Sequence, residues 1–242
     1  NRDIKLWLPL LIDEDVEGKW VSARYDWFDV VSDIYSKEFL GKMSNWLAQQ
    51  NMYYITNLWE ESLPKVTMAV GDLMKSQREV TMPGNDNLGM RGLKIHDYKE
   101  TQTVCEFEDK PFMSEIMGVT GWRQTPEMMK RTINAIISFG INHTVIHGIN
   151  LNRELWRIPF PADWYDENPY FEYLYVWNDF VRRTNYVNRM TKLECDVLLL
   201  TPIESVWALS EGYFENGEEY NWSDQALRID EIYSNAMEEM NQ

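Results

Sequence analysis

The stretch PFMSEIMGVTGWRQTPEMMKRTINAIISFGINHTVIHG, residues 111–148, carries the pattern that decides the fold. Pro111–Met117 is short and mostly apolar and runs into Gly118, so it reads as a strand. Thr125 followed by Pro126 is an N-cap and first-turn signal. Met129, Ile133, Ile136 and Ile137 then recur as one buried stripe up to Gly140, a helix stop. Asn142–Gly148 is a second strand. The unit is therefore strand, helix, strand.

The same alternation continues towards the N terminus. Phe28, Val31, Tyr35, Phe39, Met43 and Trp46 recur at threes and fours, predicting an amphipathic helix from Ser22 to about Gln50. Met52–Trp59 is β-branched and aromatic and reads as a strand. A helix is expected over Lys65–Ser76. Glu79–Met82 reads as a short strand entering a turn at Pro83, Gly84, Asn85 and Asp86, and a further helix covers about Leu93–Val104.

Towards the C terminus a long aromatic loop leads to Asn168 and Pro169, which open a helix running to about Asn188. Cys195–Thr201 is almost wholly apolar, as a strand covered on both faces of a parallel sheet is. Ala226, Ile229, Tyr233, Ala236, Met237 and Met240 line a last helix, Ser223–Met240. Five strands separated by helices make a parallel α/β protein. Two architectures compete, a doubly wound sheet of five strands and part of an eight-stranded (β/α)8 barrel. A whole barrel takes about 250 residues and eight strand–helix units, so five strands are too few for one.

Composition narrows the function classes. The chain has 242 residues with 39 acidic and 23 basic side chains, a net charge of −16 and a pI near 4.6. Such a charge repels phosphate backbones and anionic lipids, which excludes nucleic acid and membrane surfaces as partners in the absence of a basic patch. The longest apolar runs, such as Val197–Leu200, fall far short of the roughly 20 residues that cross a bilayer. Cys105 and Cys195 have no metal-type spacing and make no disulfide framework. The residues do not fix the compartment; the reading leans to the periplasm or cell exterior over the cytoplasm. With 14% aromatic residues, several beside turns, the chain can offer flat ring faces to sugars, and the same rings can equally cap a core.

In either architecture ligands bind beyond the carboxyl ends of the strands. Those ends are polar here. The first carries Asn57, Trp59, Glu60 and Glu61; the second Gly84, Asn85 and Asp86; the third Glu115, leading to Gly118, Gly121 and Trp122; the fourth His147, Gly148 and Asn150. Glu115 stands out, because Phe112, Met113, Ile116 and Met117 surround it and a carboxylate among apolar neighbours is costly unless paired or functional. An interior salt bridge to Arg91 or Arg123 is the structural alternative. Two carboxylates across a pocket are the minimal equipment for glycoside hydrolysis. His143 and His147 lie on a strand, roughly 13 Å apart and too far to share a zinc ion, so His147 is a substrate-contact candidate and His143 a structural residue. No P-loop, Gly-x-Gly-x-x-Gly, Gly-x-Ser-x-Gly or Cys-x-x-Cys is present, and the Gly-rich turn that a phosphorylated ligand would want after the first strand is missing too.

The ordered segments ARYDWFDVVSD, YITNLWEES, VTMPGND, FMSEIMGVTGW, INHTVIHG and DVLLLTPIESVWAL span Ala23–Leu209. In this order they resemble the C-terminal part of glycoside hydrolase family 106, the α-L-rhamnosidase family, with a weaker likeness to the family 42 β-galactosidases. The resemblance implies that residues 1–193 form the C-terminal half of a (β/α)8 barrel, strands five to eight, and that residues 194–242 start a flavodoxin-like domain. It implies that a larger polypeptide supplies the rest. Glu115 matches the late-strand glutamate that is the base in family 106 or the nucleophile in family 42. The family's acid falls nearest Asn57, with Glu60 and Glu61 three and four residues later. Asp86 falls where family 106 has a glutamate associated with calcium, so Ca²⁺ is the one cofactor in view although the residues themselves require none.

These readings converge on a glycosidase of α-L-rhamnosidase type acting on an oligo- or polysaccharide. Glu115 with Glu60 or Glu61 would be catalytic, and Asn57, Trp59, Asp86, Trp122, His147 and Asn150 would bind substrate. The resemblance favours inversion. The competing class is a non-catalytic carbohydrate-binding protein whose Trp59, Trp122 and Trp164 hold sugar without cleaving it.

Overall fold

A computed structural model describes residues 3–58, 62–88, 94–149, 164, 166–211 and 223–241. After a short helical turn, Ile4–Trp7, the chain forms a helical rod over residues 19–49, α1. The remaining elements are β1 (Ile55–Asn57), α2 (Leu63–Ala69), α3 (Leu73–Arg78), β2 (Met82–Asn87), α4 (His96–Glu108) and β3 (Met113–Ile116). They continue with α5 (Pro126–Ile137), β4 (His143–Ile146), α6 (Leu174–Asn188), α7 (Ile203–Leu209) and α8 (Asp224–Met240). The four strands form one parallel sheet in the order β1-β2-β3-β4. The order follows the sequence without reversal, so the described strands contain no switch point of the doubly wound kind.

The unit that decided the fold forms as its sequence reads. Thr125 caps α5 by accepting from the Met128 amide at 3.3 Å, and Met129, Ile133 and Ile136 are buried. Four other readings are corrected. In α1 the middle stretch, Ile34–Gly41, is a π-helix, whose extra residue per turn rotates the buried face. Phe28, Ser32, Ser36, Leu40 and Ser44 are buried at spacings of four, whereas Phe39, Met43 and Trp46 are exposed. The single helix expected over Lys65–Ser76 is two helices. Gly71, at φ +79°, breaks it, and Asp72 caps the second by accepting from the Lys75 amide at 2.9 Å.

The third correction bears on the site. Pro83, Gly84, Asn85 and Asp86 are not a turn after a strand; they are the strand β2. Proline survives there because the Met82 amide already bonds back to the Tyr54 carbonyl of the β1 side, at 3.1 Å. Alternation turns the donorless Pro83 nitrogen towards β3, whose pairing begins only at Gly84. Gly84 is needed for packing, since a Cβ there would lie 2.5 Å from Met113 Cε and 3.1 Å from the carbonyl oxygens of Met113 and Thr56.

The two faces of the sheet differ. Asn85, Ser114 and Ile116 point to a face covered by helices: Asn85 donates to the Asp97 carbonyl at 2.9 Å, and Ile116 packs among Tyr98, Ile133 and Ile136. The opposite face carries Ile55, Asn57, Asp86, Glu115 and Val145. Ile55 and Val145 are exposed there and leave this face bare at its edges, whereas Met82 and Met113 in its middle are buried but belong to neither hydrophobic core cluster.

Cys195–Thr201 forms no strand, which corrects the expectation of a fifth. Val197, Leu198 and Leu200 are 63%, 68% and 79% exposed, because no described strand lies alongside to pair with the run. The helices that follow pack on α1, α2 and α4. Val206 and Trp207 of α7 and Tyr233 and Met237 of α8 share a core with Phe28, Leu63 and Leu73. No described helix is long and apolar enough to cross a membrane.

Candidate active site

Three neighbouring strands deliver one polar side chain each to the bare face. Asn57 ends β1, Asp86 lies near the end of β2, and Glu115 is the penultimate residue of β3. Asp86 and Glu115 are register partners, and Asn57 pairs with Gly84, so all three side chains share that face. The Asn57 amide nitrogen donates to Asp86 Oδ2 at 3.3 Å and to Glu115 Oε2 at 3.2 Å. Two acceptors on one nitrogen leave the carboxylate oxygens no more than about 6.5 Å apart. The Met113 methyl group occupies the space a Cβ on Gly84 would take and floors the cluster.

Glu115 is half-buried. Of the apolar residues that flank it in sequence, Ile116 points to the helix-covered face, whereas Met113 lies on the same face as the carboxylate and beneath it. Arg123 is exposed, and Arg91 lies outside the described residues.

Directly after β3 the backbone is strained. Met117 at φ 62° and Val119 at φ 60° occupy the left-handed region, which a β-branched residue such as Val119 avoids. The buried Trp164 indole donates to the Met117 carbonyl at 3.0 Å, and Thr120 donates to Gln124 at 2.7 Å beside them. Between the two strained residues sits Gly118, where any Cβ would run into the His147 ring. His147 thus stands just past the end of β4, next to the strand that carries Glu115, with its amide bonded to the Ile116 carbonyl at 2.9 Å. Its Nδ1 is buried without a hydrogen-bond partner among the described residues.

The remaining candidates fall in several places. Trp59, Glu60, Glu61 and Asn150 lie outside the described residues. Trp122, in a short 3-10 turn after β3, is 41% exposed. Trp164 is 3% exposed and packs in the core of Ile133 and Trp177, so it offers no face to a sugar; this corrects its place on a binding rim. His143 starts β4 at the far end from the cluster and meets Arg189 at 3.3 Å, a structural contact. Burial pushes the Cys105 thiol up to about 12, which leaves it inert as a nucleophile. No group of three or more His, Cys, Asp or Glu among the described residues is arranged to hold a metal. Asp86 and Glu115 are hard oxygen donors that suit Ca²⁺ in kind, and sugar hydroxyls or water would have to complete six to eight ligands.

Gly84 and the Met117–Val119 corner were not legible as site features. The glycine hid inside a turn-like tetrapeptide, and left-handed methionine and valine carry no sequence signal.

The fold and cluster define a class: a parallel α/β protein with carboxylates gathered at the carboxyl ends of its strands. The family model of glycoside hydrolase family 106, described as alpha-L-rhamnosidase, matches residues 2–237. The chain belongs to that family. No curated protein and no solved structure matches it.

Proposed function

We propose that the chain is part of an α-L-rhamnosidase that hydrolyses a glycosidic bond in an oligo- or polysaccharide with inversion. The observation that carries this is the Asn57–Asp86–Glu115 cluster on the bare face of a sheet in a family 106 chain. Glu115 accepts a proton from the water that attacks the anomeric carbon. Glu60 or Glu61 gives a proton to the leaving oxygen as the bond to the anomeric carbon breaks. Trp122 and His147 border the sugar. Asp86 is the residue that would hold Ca²⁺, which when bound supplies a grip on sugar hydroxyls.

The fold reading belongs to the same proposal: strands five to eight of a (β/α)8 barrel over residues 1–193, and the start of a flavodoxin-like domain from 194. The unreversed parallel order and the bare, partly apolar face support the barrel, whose inner face this would be. Beside β1 lie the exposed Met52 and Tyr53, and along β4 runs a groove of about 340 Å³ lined by Thr144, Ile146, Trp177, Val181 and Tyr186. Further strands would fill both edges. The exposed Val197–Leu200 run is what an unpaired first strand of a following domain would look like.

The test is hydrolysis of a chromogenic α-L-rhamnoside by the full-length natural polypeptide, followed by NMR of the first sugar released. β-L-rhamnose is the expected product. An α product would replace inversion by retention, and no hydrolysis would remove the rhamnosidase reading.

A further inference from the structure

We propose that Asn57 is a positioning residue, whose amide holds the Glu115 carboxylate in its working orientation by sharing one nitrogen between Glu115 and Asp86. The inference rests on the reading of Glu115 as the reacting carboxylate. Asp86 and Glu115 stand opposite each other on adjacent strands, about 4.8 Å apart at the backbone, so their like charges push the two side chains apart. A half-buried carboxylate still has several rotamers, and repulsion alone selects none that is useful.

The Asn57 nitrogen has two N–H bonds in a fixed fork, and each finds one carboxylate. The reverse orientation of the amide would set its oxygen against two carboxylate oxygens, so the network fixes which end faces them. Gly84 helps to bring the two together, with the Met113 methyl group filling the place of a side chain there. Asn57 stands on β1 and Glu115 on β3, and the β2 residue in register with Asn57 has no side chain to separate them. Glutamine at 57 would overshoot by one methylene. Aspartate would present a third acceptor in place of the donor.

The experiment uses Asn57→Ala, Asn57→Asp and Asn57→Gln in the full-length natural polypeptide. Displacing a reacting group by about 1 Å costs on the order of 10²-fold, so Asn57→Ala should lower kcat by about that factor while KM stays within about threefold. Asn57→Asp should lose more, and Asn57→Gln should recover part of the alanine loss. Wild-type-like kcat in all three, or a loss carried by KM alone, overturns the proposal; the second result would make Asn57 a substrate contact. Crystal structures of wild type and Asn57→Ala supply an arm that needs no activity. The Glu115 and Asp86 side chains should separate in the variant, and an unmoved pair overturns the proposal. A wild type that cleaves no rhamnoside defeats the functional reading, while the paired structures still decide whether Asn57 positions Glu115.

Discussion

The Trp207 indole nitrogen donates to the Gly71 carbonyl oxygen at 2.7 Å, joining α7 to the bend between α2 and α3. The contact is buried and sits where the rod α1 also passes. A Cβ on Gly71 would lie 2.6 Å from Ser32 Cβ and 2.9 Å from Ser32 Cα, in a backbone conformation of φ +79°. Strain and overpacking each cost about 1–3 kcal/mol, so Gly71→Ala should destabilise by roughly 2–5 kcal/mol. Trp207→Phe keeps one aromatic ring but removes the donor together with the pyrrole half of the indole, so the lost hydrogen bond, about 1–3 kcal/mol, is a lower bound on the cost. Denaturant unfolding checks both. A glycine variant as stable as wild type would show that the bend does not pack against α1 and α7.

A second prediction concerns pH. Glu100 on α4 is buried, accepts from the Tyr233 hydroxyl of α8 at 3.2 Å, and has Asp72 and Asp230 nearby. Burial first, and those carboxylates next, push it up to about 7. The fold therefore prefers the protonated acid, and the unfolded chain, with its ordinary value near 4.5, releases the proton more readily. Stability from this residue is present below about pH 4.5 and is lost as pH rises towards 7, by about 3 kcal/mol in all. Neighbouring His96 acts in the opposite sense, since burial lowers its value and acid costs it stability. Glu100→Gln imitates the neutral acid. It should leave stability at pH 4 unchanged and raise it by up to about 3 kcal/mol at pH 8, read by urea midpoints. An equal effect at both pH values would mean that Glu100 is not the titrating group.

The contrast between α5 and β2 shows what the sequence could and could not tell. Helix α5 was legible because its cap, stripe and stop all depend on residues within the helix or directly adjoining it. Strand β2 was not, because Pro83 and Gly84 are admitted by where β1 and β3 pair and by the Met113 side chain, all distant in sequence. The rod α1 was legible in extent but not in facing, since one π-helical stretch shifts the phase of everything after it. At the site, Glu115 was legible as a polar residue in an apolar strand. Its link to Asp86 through Asn57 was not, for it depends on register and on an absent side chain at residue 84.

Glu115→Gln in the full-length polypeptide keeps the shape of the side chain and removes its ability to take a proton. Turnover should fall by about 10²–10⁴-fold with substrate binding largely retained. Glutamine can still accept from Asn57, so the local structure should survive, as a thermal melt would show. Activity within a few fold of wild type would take Glu115 out of the chemistry.

Asp86 is expected to matter through a cation. Chelation should weaken substrate binding and added Ca²⁺ should restore it, whereas Asp86→Asn should bind substrate weakly and respond to neither treatment. Indifference of the wild type to chelation, with no metal found by elemental analysis, would end the calcium proposal and leave Asp86 with a structural role that includes its bond from Asn57.

The half-barrel proposal makes a prediction about the 242-residue chain expressed by itself. Among the described residues β1 pairs only with β2 and β4 only with β3, so each edge offers backbone donors and acceptors without a partner strand. Exposed edges of this kind recruit other strands. Apolar surface adds to the effect: Phe39, Met43 and Trp46 are exposed on α1, Ile55 and Val145 on the bare face, and Val197, Leu198 and Leu200 in the run before α7. The net charge of −16 opposes association, but its repulsion weakens as salt is added whereas apolar contact does not. The isolated chain should therefore self-associate, increasingly with salt, and should fail to cleave a chromogenic rhamnoside because half of the rim would be missing. Sedimentation at low and high salt, with the assay run on the same samples, decides it. A soluble monomer that turns over the rhamnoside would show that four strands make a complete open sheet and that the barrel reading is wrong.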